Sequence, residues 1–179
     1  AGNSDCETCP EGSYCPTTSD TPISCEVGTW SGAGQTECTT VSPGFKAAAD
    51  NLGVEECGDG TYSVGGIVST CTACDAGYLC MGTHSSPTET PCPLGSYCTD
   101  SETITSCPLG TYGLRTGAAS LAQGCGACPA GKHCVGADST YVECETGRYC
   151  IDGIQYLCPA GTYNNLRGQI SPGSCLICP

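Results

Sequence analysis

Large apolar side chains are scarce in this sequence. Ile, Leu, Val and Phe together number 24 of 179 residues, which is about 13%, and a chain below roughly 20% rarely builds a packed core. Apolar runs are short as well, and none reaches the roughly 18 residues that a membrane-spanning helix needs. These absences exclude a single large α/β enzyme core, a coiled coil and membrane insertion of this segment.

Basic residues are scarce too. Five Lys and Arg stand against 18 Asp and Glu, so the formal net charge is −13. Nucleic-acid phosphates and anionic membrane surfaces would repel such a chain, and we expect neither as a partner. Asp59-Gly60 lacks the alternating carboxylates of a calcium loop, so we predict no metal site. The scattered acidic residues indicate a soluble extracellular surface.

Cysteine, in contrast, is abundant. Its 20 residues make up about 11% of the chain, above the roughly 8–10% typical of a disulfide scaffold in an extracellular or cell-surface setting. Zinc is a poor alternative, because the C-x-x-C pairs stand about 50 or more residues apart and ribbon sites need about 15–20. Redox catalysis is disfavoured, since no βαβ pattern surrounds these pairs. The chain begins with Ala and shows no signal peptide, so we expect a processed or excised segment.

The cysteines follow an internal repeat. Segment 6–15 reads C-x-x-C-P-x-G-x-Y-C, and segment 125–134 repeats it with His133 in place of Tyr. Segment 71–80 is a looser copy with Asp75 in place of Pro, and Cys175 begins another copy. The longest gap between cysteines, Cys38 to Cys57, makes the first repeat irregular. The predicted organisation is an irregular cysteine-rich repeat over 1–70, repeat 2 over 71–124, repeat 3 over 125–174 and the truncated start of a fourth repeat over 175–179.

A shorter motif, Cys-Pro-x-Gly followed by an aromatic residue, recurs within these repeats, as in Cys92–Cys98. Pro fixes φ near −65° and Gly accepts positive φ, so the motif predicts a tight turn. Nine of the 11 aromatic residues follow a glycine in this way. We expect each ring to pack over a neighbouring disulfide; the alternative is an exposed aromatic row that binds sugar or peptide.

The predicted fold class is small and disulfide-rich. Thr, Tyr, Val and Ser after each turn favour β-ribbons of two to four residues, and the rest of the chain is expected to be irregular. Helix is nearly absent by pattern, although residues 45–50 and 118–122 have the composition of one or two helical turns. Because each small module would contact mainly its neighbours, we expect an elongated tandem-repeat rod.

Spacing gives a hypothesis for the disulfide pairing. Turn motifs without a trailing cysteine would close on the next cysteine, giving Cys57–Cys71, Cys107–Cys125 and Cys158–Cys175. The remaining cysteines of the later repeats would interleave as Cys74–Cys92, Cys80–Cys98, Cys128–Cys144 and Cys134–Cys150. The first repeat stays ambiguous between Cys9–Cys25 with Cys15–Cys38 and Cys9–Cys15 with Cys25–Cys38. Cys6 and Cys178 are left over, for bonds to flanking repeats or between copies.

These motifs resemble a known class of module. C-P-x-G-x-Y-(C) followed by C-x-x-C is similar to the ephrin-receptor-like and tumour-necrosis-factor-receptor-like cysteine-rich repeats, over nearly the whole chain from Cys6 to Pro179. Such repeats occur in receptor ectodomains and in protist and algal surface proteins, including mastigoneme-like proteins of flagellar hairs. The motif is specific for the type of module and not for one function. The Gly/Ser/Thr-rich, Lys-poor composition is closer to the second group.

The sequence offers no catalytic constellation. His84 lies in a polar loop and is expected to be solvated, and His133 takes the aromatic position of its repeat and is expected to pack. Because every Cys is better explained as a half-cystine, no nucleophile remains beside a base. We therefore predict no enzyme, no catalytic residue and no cofactor.

Glycans are possible modifications. No Asn-x-Ser/Thr triplet occurs, but Ser and Thr number 39 and cluster in loops. Solvated loop residues are the equally weighted alternative. The candidate O-glycan sites are Thr17, Thr18, Ser85, Ser86, Thr88, Thr103 and Thr105.

Two functions compete at this point. The first is a structural protein, the building block of a filament, flagellar hair or surface coat that assembles head to tail with further copies or with flanking repeats. The second is a ligand-binding or adhesion ectodomain segment of a cell-surface receptor. An oxidoreductase would need a free thiol pair, which the cysteine pattern disfavours.

Overall fold

Short β-ribbons follow one another along the chain. The computed structural model describes residues 8–17, 21–137 and 140–179. Its strands are β1 Ser13–Tyr14, β2 Ile23–Ser24, β3 Thr29–Trp30, β4 Thr39–Thr40, β5 Phe45–Ala47, β6 Val54–Glu56, β7 Thr61–Tyr62, β8 Thr72–Ala73, β9 Tyr78–Leu79, β10 Thr90–Pro91, β11 Ser96–Tyr97, β12 Thr105–Ser106, β13 Thr111–Gly113, β14 Cys125–Ala127, β15 Lys132–His133, β16 Val142–Glu143, β17 Arg148–Ile151, β18 Ile154–Leu157, β19 Thr162–Tyr163 and β20 Leu176–Ile177. Consecutive strands pair two by two, β1 with β2 through β19 with β20, into antiparallel ribbons.

A segment of seven residues, which we call a turn, contains the start of the first strand of every ribbon. Turns 1 to 10 begin at Cys9, Cys25, Val41, Cys57, Cys74, Cys92, Cys107, Cys128, Cys144 and Cys158. The fourth residue of each turn is a glycine with φ between +73° and +92°. In nine of these turns, the N–H of the fifth residue donates to the C=O of the second at 3.0–3.2 Å. This is the geometry of a tight turn that needs glycine at its third position, as the sequence predicts.

Helix is confined to two short pieces among the described residues. One α-helical turn, α1, spans Leu121–Gly124, and a 3-10 turn spans Pro172–Ser174. The helix expected over 118–122 is thus displaced by three residues at its start, and the helix expected over 45–50 is wrong. Phe45 directly follows the turn glycine Gly44 and pairs with Glu56 in a ribbon instead. No helix in this part of the chain has the length and apolarity that crossing a membrane requires.

The chain divides into two compact units. The first comprises Ala1–Asp75 with Leu79–Thr90, and its buried apolar residues include Val41 and Ala47. The second comprises Ala76–Tyr78 with Pro91–Pro179. In it, α1 packs against β11 and β14.

Cystine sulfur makes up most of the interior. Of the 15 apolar residues that are buried in the described chain, 11 are cysteines. The four largest fully buried side chains are all half-cystines: Cys80, Cys92, Cys98 and Cys144. The predicted fold class is confirmed: a small disulfide-rich chain with nine bridges, almost no helix and a series of short strand pairs.

Candidate functional site

Four long disulfides join the first residue of a turn to a cysteine at or just before the second strand of its ribbon. Three of these four are the bridges that spacing predicts. Cys57–Cys71, Cys107–Cys125 and Cys158–Cys175 are present with Cα–Cα distances of 5.6–5.7 Å. The fourth, Cys25–Cys38, is joined by Cys9–Cys15, so the first repeat adopts the second of the two pairings left open above. These four long bridges close loops with sequence separations of 13 to 18.

The interleaved pairing predicted for the later repeats is wrong. Instead of Cys74–Cys92, Cys80–Cys98, Cys128–Cys144 and Cys134–Cys150, the structure contains Cys74–Cys80, Cys92–Cys98, Cys128–Cys134 and Cys144–Cys150. The glycine turn explains the difference. It brings the first and seventh residues of one turn to Cα–Cα distances of 5.9–6.5 Å, which is within disulfide reach. Each short bridge therefore closes inside its own turn.

The two leftover cysteines have different standing. Cys178 is exposed and is the free cysteine among the described residues. Cys6 lies outside the described residues, so its proposed bond to a flanking repeat or another copy stays a prediction. The described residues therefore contain a single free thiol beside nine bridges.

A main-chain ladder connects successive turns. The N–H of the first residue of a turn donates to the glycine C=O of the preceding turn in eight of the ten turns, at 2.8–3.0 Å. In the opposite direction, the glycine N–H donates to the C=O of the seventh residue of the next turn in six places, at 2.6–3.1 Å. The last rung runs from Cys178 N–H to Gly161 C=O at 3.0 Å. Cys178 therefore stands in the position of a turn's first residue.

Turn 3 keeps this geometry without a disulfide, in the stretch that sequence analysis treats as irregular. Val41 takes the first position and Ala47 the seventh, and both are buried. Gly44 has a φ of +85°, and Cys57 N–H donates to its C=O at 2.9 Å. A sequence signal exists, because Cys38-Thr39-Thr40-Val41 has the C-x-x-C spacing with Val in place of the second Cys. A search keyed to cysteine alone misses it.

Small buried residues at the seventh position are a second feature that sequence analysis missed. In the four turns with long bridges this position holds Ser31, Ser63, Gly113 and Asn164, all buried. Ser31 Oγ donates to Ser13 C=O at 2.6 Å, and Asn164 Nδ2 donates to Arg148 C=O at 2.9 Å. These side chains thus tie one turn to the turn before it, where a short-bridge turn has a cystine.

Later hairpins pack closely against most of the turn glycines. A Cβ built on any of seven turn glycines would lie 3.1 Å or less from an atom of a later hairpin. These seven are Gly12, Gly28, Gly44, Gly77, Gly95, Gly110 and Gly131. At Gly147 and Gly161, in the last two turns, no atom of the described residues lies within 4 Å of a Cβ built in this way. The face of the second unit at these two turns is therefore uncovered.

The rings at the sixth position of the turns are partly buried, as in Tyr14, Tyr62 and Tyr149, and Tyr163 of the last turn is exposed. His133 is also half-buried, as expected for packing, and its Nδ1 is buried without a hydrogen-bond partner. The expectation that His84 is solvated is wrong. Its side chain is only 13% exposed, 3.9 Å from the Glu89 carboxylate.

Most of the candidate O-glycan residues lie in loops, and Thr105 lies in β12. Thr17, Ser85, Thr88 and Thr103 are exposed, Ser86 and Thr105 are half-buried, and Thr18 lies outside the described residues. Within the described ranges, no three His, Cys, Asp or Glu side chains converge in a way that could hold a metal ion.

Charge is unevenly distributed between the units. The first unit carries 12 acidic residues and one basic residue, and the second carries six and four. Lys46 and Lys132 pair across their ribbons with Glu55 and Glu143 at 2.8 and 3.4 Å. Such exposed pairs add little stability. Arg115 and Arg167 are exposed, and neither forms an ion pair within the described ranges.

One carboxylate organises its own loop. Backbone N–H groups of Glu102 and Thr103 donate to Asp100 Oδ1 at 3.1 and 2.6 Å. These hydrogen bonds favour the ionised form and hold the pKa of Asp100 below its ordinary value. The carboxylate is exposed, and its contacts are those of a loop-ordering residue.

Two clefts in the first unit are the most suitable places for a partner side chain there. One, of about 340 Å³, is lined by Tyr14, Ile23, Ser24, Glu26, Thr29, Glu37 and Cys38. The other, of about 210 Å³, is lined by Trp30, Thr39, Thr40, Ser42, Phe45 and Val54. The first combines apolar walls with two carboxylates, and the second contains the only Trp and the only Phe of the sequence.

Comparison with known proteins gives no family: neither the protein-family models nor the curated proteins match this chain. The chemistry of the bridges still gives a location. Nine disulfides within one chain favour a secreted or extracellular protein, because reducing compartments keep thiols free. The ladder, the uncovered glycines of the last two turns and the charge distribution are therefore the features that bear on function.

Proposed function

We propose that this chain is a non-enzymatic extracellular structural protein, the building block of a filament, hair or surface coat that assembles head to tail. The observation that carries the proposal is the main-chain ladder, which repeats from turn to turn and leaves the glycines of the last two turns uncovered. A heterologous contact repeated between copies generates an open fibre when its rotation does not close. The stacking of similar modules on their neighbours also supports a tandem-repeat building block.

The resemblance to receptor-type cysteine-rich repeats and to mastigoneme-like surface proteins supports the same proposal. Its partners are further copies or flanking repeats, with glycans on the exposed loop hydroxyls. A covalent form would join Cys178 of one copy to Cys6 of the next. In that step the two thiols release two protons and transfer two electrons to an oxidant such as molecular oxygen or a disulfide.

A receptor or adhesion segment is the second candidate. The cleft between Trp30 and Phe45 supports it, because apolar pockets with a few hydroxyl groups are typical of ligand sites. A ligand bound along the modules would then be the partner, and the isolated segment would stay monomeric.

Electron microscopy and sedimentation of the concentrated, oxidised protein test the proposal. We expect filaments with a constant axial spacing and a sedimentation coefficient that rises with concentration. Monodisperse monomers at millimolar concentration would contradict head-to-tail assembly and would favour the receptor segment. An intact mass above that of the bare oxidised chain would identify glycans.

A further inference from the structure

The two ends of the sequence have opposite electrostatic character. Residues 1–37 contain six acidic residues and no basic residue. Residues 153–179 contain no acidic residue and one basic residue, Arg167. In a chain with a net charge of −13, copies repel each other at most orientations. A contact between the last segment of one copy and the first segment of another is one in which charge attracts.

The last hairpin carries several exposed large apolar side chains. Leu166, Ile170, Leu176 and Ile177 are 53–84% exposed, and Ile177 is the most exposed large apolar side chain of the described residues. We call these four residues with Arg167 the terminal patch. Exposed apolar residues beside a charge are typical of an interaction surface, and this hairpin belongs to the turn whose glycine, Gly161, is uncovered.

The cleft of about 340 Å³ in the first unit has the complementary chemistry. Tyr14 and Ile23 give it apolar walls, and Glu26 and Glu37 are exposed carboxylates at its border. Neither carboxylate forms an ion pair within the described ranges. A guanidinium on an apolar stem suits such a cleft, since the stem packs on the apolar wall and the planar head pairs with carboxylates.

We propose that the terminal patch of one copy docks on the cleft between Tyr14 and Glu37 of a second copy, with the Arg167 guanidinium paired to the Glu26 and Glu37 carboxylates. This inference rests on the proposed head-to-tail assembly and names its two surfaces. Charge selects the direction, because two acidic first segments repel each other and two terminal patches lack a carboxylate for Arg167. The apolar residues of the patch supply the buried area, and the ion pair sets the register.

Charge reversal with matched controls tests the docking. We expect R167E to raise the dissociation constant of self-association about tenfold or more, because a positive side chain in an acidic cleft becomes negative. R115E makes the same change in net charge at another exposed arginine without an ion pair, and it should leave the constant within about twofold. Sedimentation velocity of the oxidised proteins at low and moderate salt measures all three.

Reversal of the cleft should restore association. E26R/E37R alone should weaken self-association, and E26R/E37R/R167E should recover it to within about threefold of the unmodified chain. I177S and L109S form a second matched pair, since both side chains are highly exposed and Leu109 lies outside the terminal patch and the cleft; only I177S should weaken association. If the unmodified chain assembles and R167E behaves like R115E, the proposed surfaces are wrong and the assembly stands. If the unmodified chain stays monomeric, both the assembly and these surfaces are wrong.

Discussion

Turn 3 and turn 6 make the same backbone structure with different chemistry. Turn 6 is closed by Cys92–Cys98, whereas turn 3 has Val41 and Ala47 at the two equivalent positions. In both, the end residues are buried, the glycine has positive φ, and the next turn donates to its C=O at 2.9 Å. Because the backbone is the same with and without sulfur, we infer that the glycine turn and the ladder set its geometry. The bridge adds stability to a conformation that does not depend on it.

The ladder bond of the first residue differs between the two turns. Cys92 N–H donates to the glycine of the preceding turn, Gly77, at 2.8 Å. Val41 N–H donates to Gly66 C=O at 2.9 Å, and Val68 N–H donates instead to Gly28 C=O. The first residue of the turn without a bridge thus donates to the loop of a later ribbon. This hydrogen bond replaces part of the backbone constraint that a disulfide provides in the other turns.

Substitution of the turn glycine, which both turns have at their fourth position, should have the largest effect on stability. We expect G44A and G95A each to lower the free energy of unfolding by about 3 kcal/mol, from left-handed strain of about 1–2 kcal/mol and overpacking of about 1–3 kcal/mol. The added methyl would meet Thr83 at Gly44 and the Ala137 backbone at Gly95. G161A is the control, because Gly161 has a φ of +81° but open space around it, and it should cost only about 1 kcal/mol. Calorimetry of the three variants measures the difference, and equal losses would contradict the packing argument.

Transplanting the turn 3 residues into turn 6 should give the next largest effect. We expect C92V/C98A to lower the free energy of unfolding by about 2 kcal/mol, the chain-entropy contribution of a bridge that closes a short loop. The hydrogen bond from Cys107 N–H to Gly95 C=O should persist, since the turn does not require sulfur. Amide hydrogen exchange tests this, and loss of protection at Cys107 would show that the bridge sets the geometry.

The reverse exchange should stabilise the first unit. We expect V41C/A47C to form a sixth short bridge on oxidation and to raise the free energy of unfolding by about 1–2 kcal/mol, less than a natural bridge because the packing of Val41 is given up. Denaturation followed by the fluorescence of Trp30 measures it. V41C alone is the control. A double variant that stays reduced in air would mean that positions one and seven of turn 3 are too far apart.

The smallest effect concerns the ring position of turn 8. His133 stands where turns 1, 4 and 6 have Tyr, and its buried Nδ1 has no partner. We expect H133Y to raise the free energy of unfolding by about 1 kcal/mol, because an unpaired buried polar atom is removed and apolar contact is added. Thermal unfolding measures the change. A loss of stability would mean that the imidazole makes a contact that a phenol cannot.

The sequence was sufficient for the parts of the fold that depend on local chemistry. Proline and glycine at fixed spacing predicted the turns, the residues after each glycine predicted the ribbons, and spacing predicted the bridge Cys107–Cys125. The short bridges were mispaired because C-x5-C permits closure inside one turn as well as closure with the next. Only the Cα–Cα distance across the turn decides between them.

Other features could not be read from the cysteine pattern. Val41 and Ala47 carry no sulfur, and Ser31 and Asn164 at the seventh position look like ordinary polar residues. Their role follows from stacking, which buries the seventh residue of one turn against its neighbour. The uncovered glycines and the charged cleft likewise depend on which hairpins pack on which turns. Those long-range relations have no signature in local spacing.

The central claim is that bridges closed within and just beyond single turns replace an apolar core. Peptide mapping of the unreduced protein after alkylation tests it most directly. We predict linked peptides for Cys74–Cys80 and Cys107–Cys125, together with the seven other bridges of the structure, and alkylation of Cys178 in the folded protein. Linkage of Cys74 to Cys92, or alkylation of most cysteines before reduction, would contradict the account.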